Sequence, residues 1–447
     1  MVLERLTQNP RNSLSIDVFA RAGSSAFTSI FIVRHLGPAK SGALVFATAV
    51  AAIGLPLAAA GTNEVLFQRF ADRLKPSVNN IQSPFEAGNS EEGLGDGWIT
   101  SAWEIRVRST ALSILLCIAV GTFATRDVVT IGLCALSLLA VPFDIATVRL
   151  IAHRNLGLAI YSRLRTLFVF ETLKLAAVFA QLPVQAFAAL GTLETLGLAH
   201  ASYRSQKGPF SRTRSSNPFA LQSGHNLKRY SLKRSSFPFL IATMLNMALL
   251  RIDVLIVKAR LGTVEVGRYA AVVRIVELSL LPFAVLVPMA LTTFRMQTTP
   301  GSADFRRKSN LMFFRVATMA AAMSFALAII APQLIEILYG PQFSVGTSAA
   351  LRILAVALPF AVCVTLRDSY FALIKRQNLV VWGPLLGLFV NIGLNLFLLQ
   401  SIGIAGASIA SVAGYAIALL VPFALLSLSR KTSKVEPKTS RKSEGNP

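Results

Sequence analysis

Ionisable side chains interrupt several apolar stretches of this sequence. They are Arg21, Arg163, Arg165, Glu171, Lys174, Arg251, Asp253, Arg274, Glu277, Arg315, Arg367 and Asp368. A guanidinium group carries a fixed charge and a planar fork of donors that matches phosphate oxygens. Arginines in such a setting predict a cationic cavity for a diphosphate, where acidic neighbours would moderate the affinity or carry a coupling ion. Arg163, Arg165 and Arg315 are instead expected to extend to the cytoplasmic interface.

Spacing separates the residues that can pair locally from those that cannot. Two pairs stand three residues apart, Glu171 with Lys174 and Arg274 with Glu277. Residues at this spacing share a helix face, so both pairs can form ion pairs, either as part of a site or simply to neutralise charge in the membrane. Arg251 and Asp253 are two residues apart, and each is therefore expected to find its partner on another element.

Three further polar residues are candidates for a binding role. Asn391 and Asn395 are four residues apart and share a helix face, where their amides could contact sugar hydroxyls or form interhelical hydrogen bonds. Asp144 follows Pro142 and Phe143, which predicts a helix break beside it. We consider Asp144 a candidate for a coupling-ion site.

The elements that would position these residues are helices in a lipid solvent. Of the 447 residues, 53% are hydrophobic and only 15% are charged, against about 25% charged in soluble domains. Apolar blocks of roughly 20 residues match the thickness of a bilayer. The candidate helices are 15–36, 41–61, 104–124, 128–150, 156–182, 184–203, 237–261, 264–294, 311–330, 349–374, 380–399 and 405–428. The sequence therefore predicts an all-α polytopic membrane protein with about twelve transmembrane helices.

A basic segment divides the chain into two halves. Residues 204–235 hold many Lys and Arg and no Asp or Glu, together with frequent Ser, Pro and Gly, which is typical of a flexible connection. We predict an N-terminal six-helix lobe at 1–203, this connection at 204–235, a C-terminal six-helix lobe at 236–428 and a basic tail at 429–447.

The two halves share an internal repeat. Gly37 and Gly42 flank the first turn of one half, and Gly262 and Gly267 stand at the same offset in the other. Glycine at both places fits a tight interhelical turn and a close backbone approach. Two matched halves suit a transporter that rocks around a central cavity.

Charge placement predicts the orientation. The chain has 44 Lys and Arg against 21 Asp and Glu, and the basic residues concentrate in alternate loops, as expected for loops on the cytoplasmic side. We therefore expect a multi-pass protein with both termini in the cytoplasm, where its basic segments contact anionic lipids. This clustering argues against nucleic-acid binding.

Signals for an enzyme are missing from the sequence. The three cysteines lie in apolar segments without metal or disulfide spacing, the four histidines are scattered, and no nucleophile or phosphate-loop motif occurs. We predict no catalytic activity, no cofactor and no metal site.

Several segments resemble the Wzx-type polysaccharide flippases of the multidrug/oligosaccharidyl-lipid/polysaccharide (MOP) exporter superfamily. They are Arg34–Gly42, Leu250–Asp253, Leu261–Ala270, Leu338–Phe343 and Asn391–Ser408. The resemblance implies two pseudo-symmetric six-helix lobes around a central cavity, as in MATE-like proteins. It also implies transport of an undecaprenyl-diphosphate-linked oligosaccharide across the bacterial inner membrane. Segments 72–103 and 204–234 look longer than the links of that family.

The resemblance also assigns roles to the candidate residues. It favours Arg21, Arg251 and Arg274 as the diphosphate-binding group. We add Asp253, Glu277 and Asp144 as coupling-ion sites or charge partners, and Asn391 and Asn395 as glycan contacts. Expected partners are the lipid-linked oligosaccharide, anionic lipids and other polysaccharide-assembly proteins. A MATE-like multidrug or small-molecule antiporter of the same superfamily, or a non-transporting scaffold for envelope assembly, are the alternatives.

Overall fold

The computed structural model describes residues 10–66, 92–124, 127–152, 156–205, 222–297, 303–373 and 376–435. Within these ranges the chain is helical and contains no strand. The predicted basic tail lies mostly outside them, as do most of the predicted 72–103 loop and the middle of the 204–235 connection.

The first half contains six crossings. Helix α1 (Pro10–Ala59) supplies two of them, because the backbone leaves helical geometry at Gly37. Helix α2 spans Glu92–Ala124. The next crossing is composite, with α3 (Val128–Leu136), a 3₁₀ segment (Ser137–Asp144) and α4 (Ile145–Ala152). Helices α5 (Leu156–Phe179) and α6 (Val184–Ser205) complete the half.

The second half repeats the arrangement. It begins with α7 (Gln222–Leu261), α8 (Thr263–Gln297) and α9 (Ala303–Tyr339). The next crossing is divided into α10 (Thr347–Ala355) and α11 (Ala357–Leu373). Helices α12 (Trp382–Ile402) and α13 (Ile404–Val435) follow. The described helices thus make the twelve crossings that the sequence predicts.

Length and composition support the membrane assignment. Eight described helical stretches are long and apolar enough to cross a membrane, and one of them, Phe19–Ala59, contains both crossings of α1. Helices α5, α6 and α8 have 24, 22 and 35 residues, which also exceeds the bilayer requirement of roughly 20. The chain is therefore an all-α polytopic membrane protein, as predicted.

Glycines make the tight turns at one end of the bundle, which we call the turn end. Gly37 has φ 69° between the arms of α1, and Gly262 has φ 89° between α7 and α8. Glycine adopts this left-handed backbone conformation without the steric cost that a Cβ atom brings. The predicted equivalence of Gly37 and Gly262 is confirmed, since both make the first turn of their half in the same way.

Several helices are longer than apolarity alone predicts, among them α2, α7 and α9. Helix α2 begins at Glu92 rather than at 104, and α7 begins at Gln222 rather than at 237. These extensions are polar, so hydropathy marks only the part of each helix that lies in lipid. The predictions of an irregular loop up to residue 103 and of a connection up to residue 235 were therefore wrong for their last residues.

The two halves pack against each other chiefly through α1 and α8. Their buried side chains belong to one apolar cluster that includes Phe46 and Ala47 of α1 and Tyr269 and Val272 of α8. The same two helices also line a cavity, with Arg21 and Leu44 from α1 and Arg274 from α8.

Candidate functional site

A cavity of about 860 Å³ lies between the two halves. Its walls come from both arms of α1, the composite fourth crossing, α5, α6, α7 and α8. Residues of the first half supply most of the surface, while α7 and α8 close one side. Most lining residues are apolar, so the few charged groups in the wall determine what the cavity can bind.

The three predicted arginines all line this cavity. Arg21 extends from the first arm of α1, Arg251 from α7 and Arg274 from α8. They come from separate parts of the sequence, and the packing of α1, α7 and α8 brings them to one chamber. Their predicted role in diphosphate binding remains a proposal.

Arg274 connects the two halves of the molecule. Its Nε donates to Ser29 Oγ at 2.8 Å, and one Nη donates to the Ser25 carbonyl oxygen at 3.2 Å. Both serines belong to α1, in the first half. Its other Nη pairs with Glu277 Oε2 at 3.1 Å on its own helix. The predicted pairing of Arg274 with Glu277 is confirmed.

Arg251 shares the same carboxylate. One of its Nη atoms lies 3.0 Å from Glu277 Oε1. The spacing of Arg251 and Asp253 predicts a partner for Arg251 on another element, and Glu277 on α8 is that partner. Glu277 therefore bridges two guanidinium groups, one with each oxygen. The Nε of Arg251 is buried without a hydrogen-bond partner, so this arginine keeps an unused donor.

Arg21 lies on the same face of α1 as the serines that bind Arg274. Arg21, Ser25 and Ser29 are spaced by four residues and all line the cavity. Four residues of helix rise about 6 Å, so Arg21 is about one turn from Ser25. Its side chain is exposed to the cavity.

Other charged groups make the cavity wall more positive. Arg163 and Lys174 of α5 also line it, as does Asp144. The lining thus includes five basic and two acidic residues. Lys174 is offset by acids behind the wall, because it pairs with Glu171 at 3.3 Å, as predicted, and also with Glu194 of α6. The net excess of positive charge therefore rests mainly on arginine.

Asp144 lies at the predicted helix break. The 3₁₀ segment ends at Asp144 and contains Pro142, which cannot donate the hydrogen bond that an α-helix would need there. Nearby, the fully buried Arg106 donates to Thr62, Asn63 and the Val141 carbonyl. These bonds tie α2 to this segment and to the chain that follows α1.

Asp253 is buried in the second half, behind the cavity wall. Its Oδ2 accepts from Tyr269 Oη at 2.5 Å and from Ser411 Oγ at 3.2 Å. These bonds join α7, α8 and α13. Its proposed role as a coupling-ion site or charge partner would therefore operate inside the second lobe and not at the cavity surface.

Asn391 and Asn395 form part of the same polar network. Both are 0% exposed. Asn395 Nδ2 donates to Asn391 Oδ1 at 2.9 Å, and Asn391 Nδ2 lies 3.4 Å from Ser411 Oγ. In this conformation the two amides lie on the face of α12 that packs against α13, in agreement with the predicted interhelical hydrogen bonding. Their predicted contact with a glycan stays a prediction.

Sequence reasoning missed the partners that depend on packing. Ser25, Ser29 and Glu194 were not identified, although the four-residue spacing of Arg21, Ser25 and Ser29 was a usable signal. In the described part of the chain, His, Cys, Asp and Glu do not gather in groups of three or more that could hold a metal ion.

Sequence comparison gives no family for the chain. No protein-family model matches it, and no curated protein does. Comparison with solved structures is informative.

The lipid II flippase MurJ, in an inward closed conformation, matches with a TM-score of 0.67 and 12% identity over 92% of this chain and 87% of that one. The eukaryotic MATE transporter AtDTX14 matches with a TM-score of 0.63 and 13% identity over 97% and 99%. An outward-facing multidrug resistance MATE transporter of the MOP superfamily matches with a TM-score of 0.59 and 12% identity over 97% and 99%. The chain therefore has the fold that these three solved structures share.

Proposed function

We propose that the chain is a flippase that moves an undecaprenyl-diphosphate-linked oligosaccharide, the repeat unit of a polysaccharide, across the bacterial inner membrane. The observation that carries the proposal is the convergence of Arg21, Arg251 and Arg274 on one cavity between the lobes. The solved structures of the same fold include a lipid II flippase, which agrees with a lipid-linked substrate.

The arginines suit an anionic head group that must be held and then released. Charge-assisted hydrogen bonds contribute about 1.5–3 kcal/mol each, so a few of them bind a diphosphate without fixing it permanently. Arg274 contacts residues of both lobes. A head group that binds Arg274 therefore changes contacts in both lobes. The polyprenyl tail would stay in the bilayer while the lobes rock to expose the cavity alternately to the two sides.

The main alternative is a MATE-like multidrug or small-molecule antiporter, since MATE transporters share the fold. Exporters of organic cations need carboxylates facing the cavity, whereas five basic and two acidic residues line this one. A non-transporting scaffold gives no reason for three arginines to converge on one cavity. The charge of the lining therefore favours an anionic lipid substrate.

Reconstitution tests the proposal directly. The purified chain is placed in liposomes with a fluorescent undecaprenyl-diphosphate oligosaccharide, and translocation is followed with a glycosidase confined to one side. We expect transport by the wild type, and a loss of at least about tenfold in an Arg21→Gln, Arg251→Gln, Arg274→Gln triple variant. Arg260→Gln, an exposed basic residue of α7, is the control. Transport by the well-folded triple variant at the wild-type rate would refute the proposal, and uptake of organic cations instead would favour the antiporter.

Location and orientation are part of the same proposal. In the sequence, most basic residues near helix ends fall in the loops opposite the turn end, with Arg34, Lys40, Lys258 and Arg260 as the exceptions, which agrees with cytoplasmic termini. Reporter fusions after residue 37 and after residue 447 should report opposite sides of the inner membrane. Fusions that report the same side would contradict this orientation.

A further inference from the structure

Glu277 lies at the centre of the arginine group. Its Oε2 is 3.1 Å from Arg274 and its Oε1 is 3.0 Å from Arg251. A phosphate group bound by the same two guanidiniums would present two oxygens in the same manner. Without substrate, the carboxylate of Glu277 thus occupies the place where an anionic ligand would bind.

We propose that Glu277 is a resident counter-anion that sets the charge a head group must carry to enter the site. A diphosphate, with two or more negative charges, displaces it, and the singly charged phosphodiester of an ordinary phospholipid does not. The inference rests on the proposed function and names a property of the same site, its selectivity for doubly charged head groups.

Tethering makes Glu277 an effective competitor. It stands three residues from Arg274 on the same helix, and a tethered group acts at an effective concentration of roughly millimolar or higher. A singly charged phosphodiester offers the same charge as the carboxylate and must come from outside the protein. Replacing Glu277 with a phosphodiester therefore adds no electrostatic attraction to the arginines, whereas a diphosphate adds a second negative charge.

Arg21 provides the place where the second charge binds. Within the described chain its side chain forms no ion pair, and it is exposed and lines the same cavity as Arg251 and Arg274. Three arginines and one glutamate leave a net charge of +2. A diphosphate joined to a lipid and a sugar carries one negative charge on each phosphate, which matches this excess.

Selectivity of this kind has a physical reason in a membrane. Phospholipids with phosphodiester head groups surround the protein at high concentration, and a bare cluster of arginines would bind them. Specificity often depends on an element that rejects the wrong ligand as well as one that attracts the right one. Glu277 rejects phosphodiesters because it already pairs with the arginines, and Arg21 and Arg251 attract the second charge of a diphosphate.

A matched acid on the same helix allows a test. Glu265 pairs with Arg268 three residues along α8 at 2.5 Å, the same local pattern as Arg274 with Glu277, but neither residue lines the cavity. Glu265→Gln therefore reproduces the loss of one negative charge and one helical ion pair without touching the arginine group.

The experiment measures two soluble probes that differ by one charge. Dimethyl diphosphate, methylated once on each phosphate, and dimethyl phosphate are titrated into the purified full-length chain, and binding is followed by calorimetry. The wild type and Glu265→Gln should prefer the diphosphate probe. In Glu277→Gln we expect that preference to fall at least about tenfold, chiefly because dimethyl phosphate now binds. Glu277→Ala should behave in the same way, which guards against a fold defect in one variant.

The outcomes separate the two proposals. If the wild type binds the diphosphate probe and Glu277→Gln keeps the same preference, Glu277 has no role in selectivity while the proposed function stands. If the wild type does not bind the diphosphate probe better than the Arg251→Gln, Arg274→Gln variant, the head-group site itself is wrong. If Glu265→Gln loses the preference as well, the effect comes from the charge of the helix and the inference fails.

Discussion

Gly42 and Gly267 meet across the interface between the two lobes. A Cβ atom on Gly42 would collide with the Thr263 carbonyl oxygen and the Gly267 amide, and one on Gly267 would collide with the Pro38 carbonyl. The sequence places these two glycines at equivalent positions of the repeat. In the structure they bring the backbones of α1 and α8 into direct contact at the turn end. We expect this contact to seal the cavity on that side.

Substitution at this contact should shift the protein toward a conformation with the turn end open. Gly42→Ala adds a side chain for which the interface has no space, so the lobes must separate there. We expect faster labelling of a cysteine introduced in the cavity by a reagent applied from the turn-end side, and transport at most about one third of the wild-type rate. Gly23→Ala on the same helix, where a Cβ meets nothing within 4 Å, is the control. Equal labelling of the two variants would contradict the role of the contact as a seal.

Arg274 should be more sensitive to substitution than any charge outside the cavity. Arg274→Lys keeps the charge but loses the planar fork that reaches Ser29, Ser25 and Glu277 together. We expect transport in the proteoliposome assay to fall about tenfold or more. Arg268→Lys, which changes an ion pair away from the cavity, should stay within about twofold of wild type. Similar losses in both variants would show that the fork of Arg274 has no special role.

Two buried tyrosines provide a matched test of the polar network in the second lobe. Tyr269 and Tyr339 are both 0% exposed, but Tyr269 donates to Asp253, while the hydroxyl of Tyr339 has no partner. Tyr269→Phe should lower the free energy of unfolding by about 1–3 kcal/mol, because Asp253 loses a donor. Tyr339→Phe should change it by less than about 0.5 kcal/mol or stabilise the protein. Detergent-induced unfolding of the two variants measures both values, and equal losses would argue against the network.

Lys174 should be essential for stability because two acids depend on it. Lys174→Met leaves Glu171 and Glu194 buried without their cation, and breaking a buried pair in this way costs about 3–5 kcal/mol. Replacing Glu194 with Gln in the same chain should recover part of the loss. Lys308→Met removes an exposed pair with Asp304 and should cost at most about 0.5 kcal/mol. A Lys174→Met variant as stable as Lys308→Met would show that the buried acids are compensated in another way.

The fold could be predicted from the sequence because lipid imposes simple rules. Apolar blocks of bilayer length predicted the crossings. The repeat was predicted because Gly42 follows Gly37 at the same offset at which Gly267 follows Gly262. The polar first turns of α2 and α7 escaped prediction, because hydropathy carries no signal for helix that extends into water.

The site could be predicted in its members but not in its connections. Intrahelical pairs such as Arg274 with Glu277 follow from spacing alone. The bond from Arg274 to Ser29 spans 245 positions of sequence, so it depends on how α1 packs against α8. Asn391 and Asn395 are a similar case, since their shared face was predicted but Ser411, the neighbour on α13, was not.

The 3₁₀ segment Ser137–Asp144 changes the reach of the fourth crossing. A 3₁₀ helix rises about 2.0 Å per residue and an α-helix about 1.5 Å, so these eight residues extend about 4 Å further than an α-helix of equal number would. Each residue also turns by about 120° instead of 100°, which accumulates to roughly 160° over the segment. Without this overwinding, Asp144 would point to nearly the opposite side of its helix, so the 3₁₀ winding of the segment determines which side of the crossing that carboxylate faces.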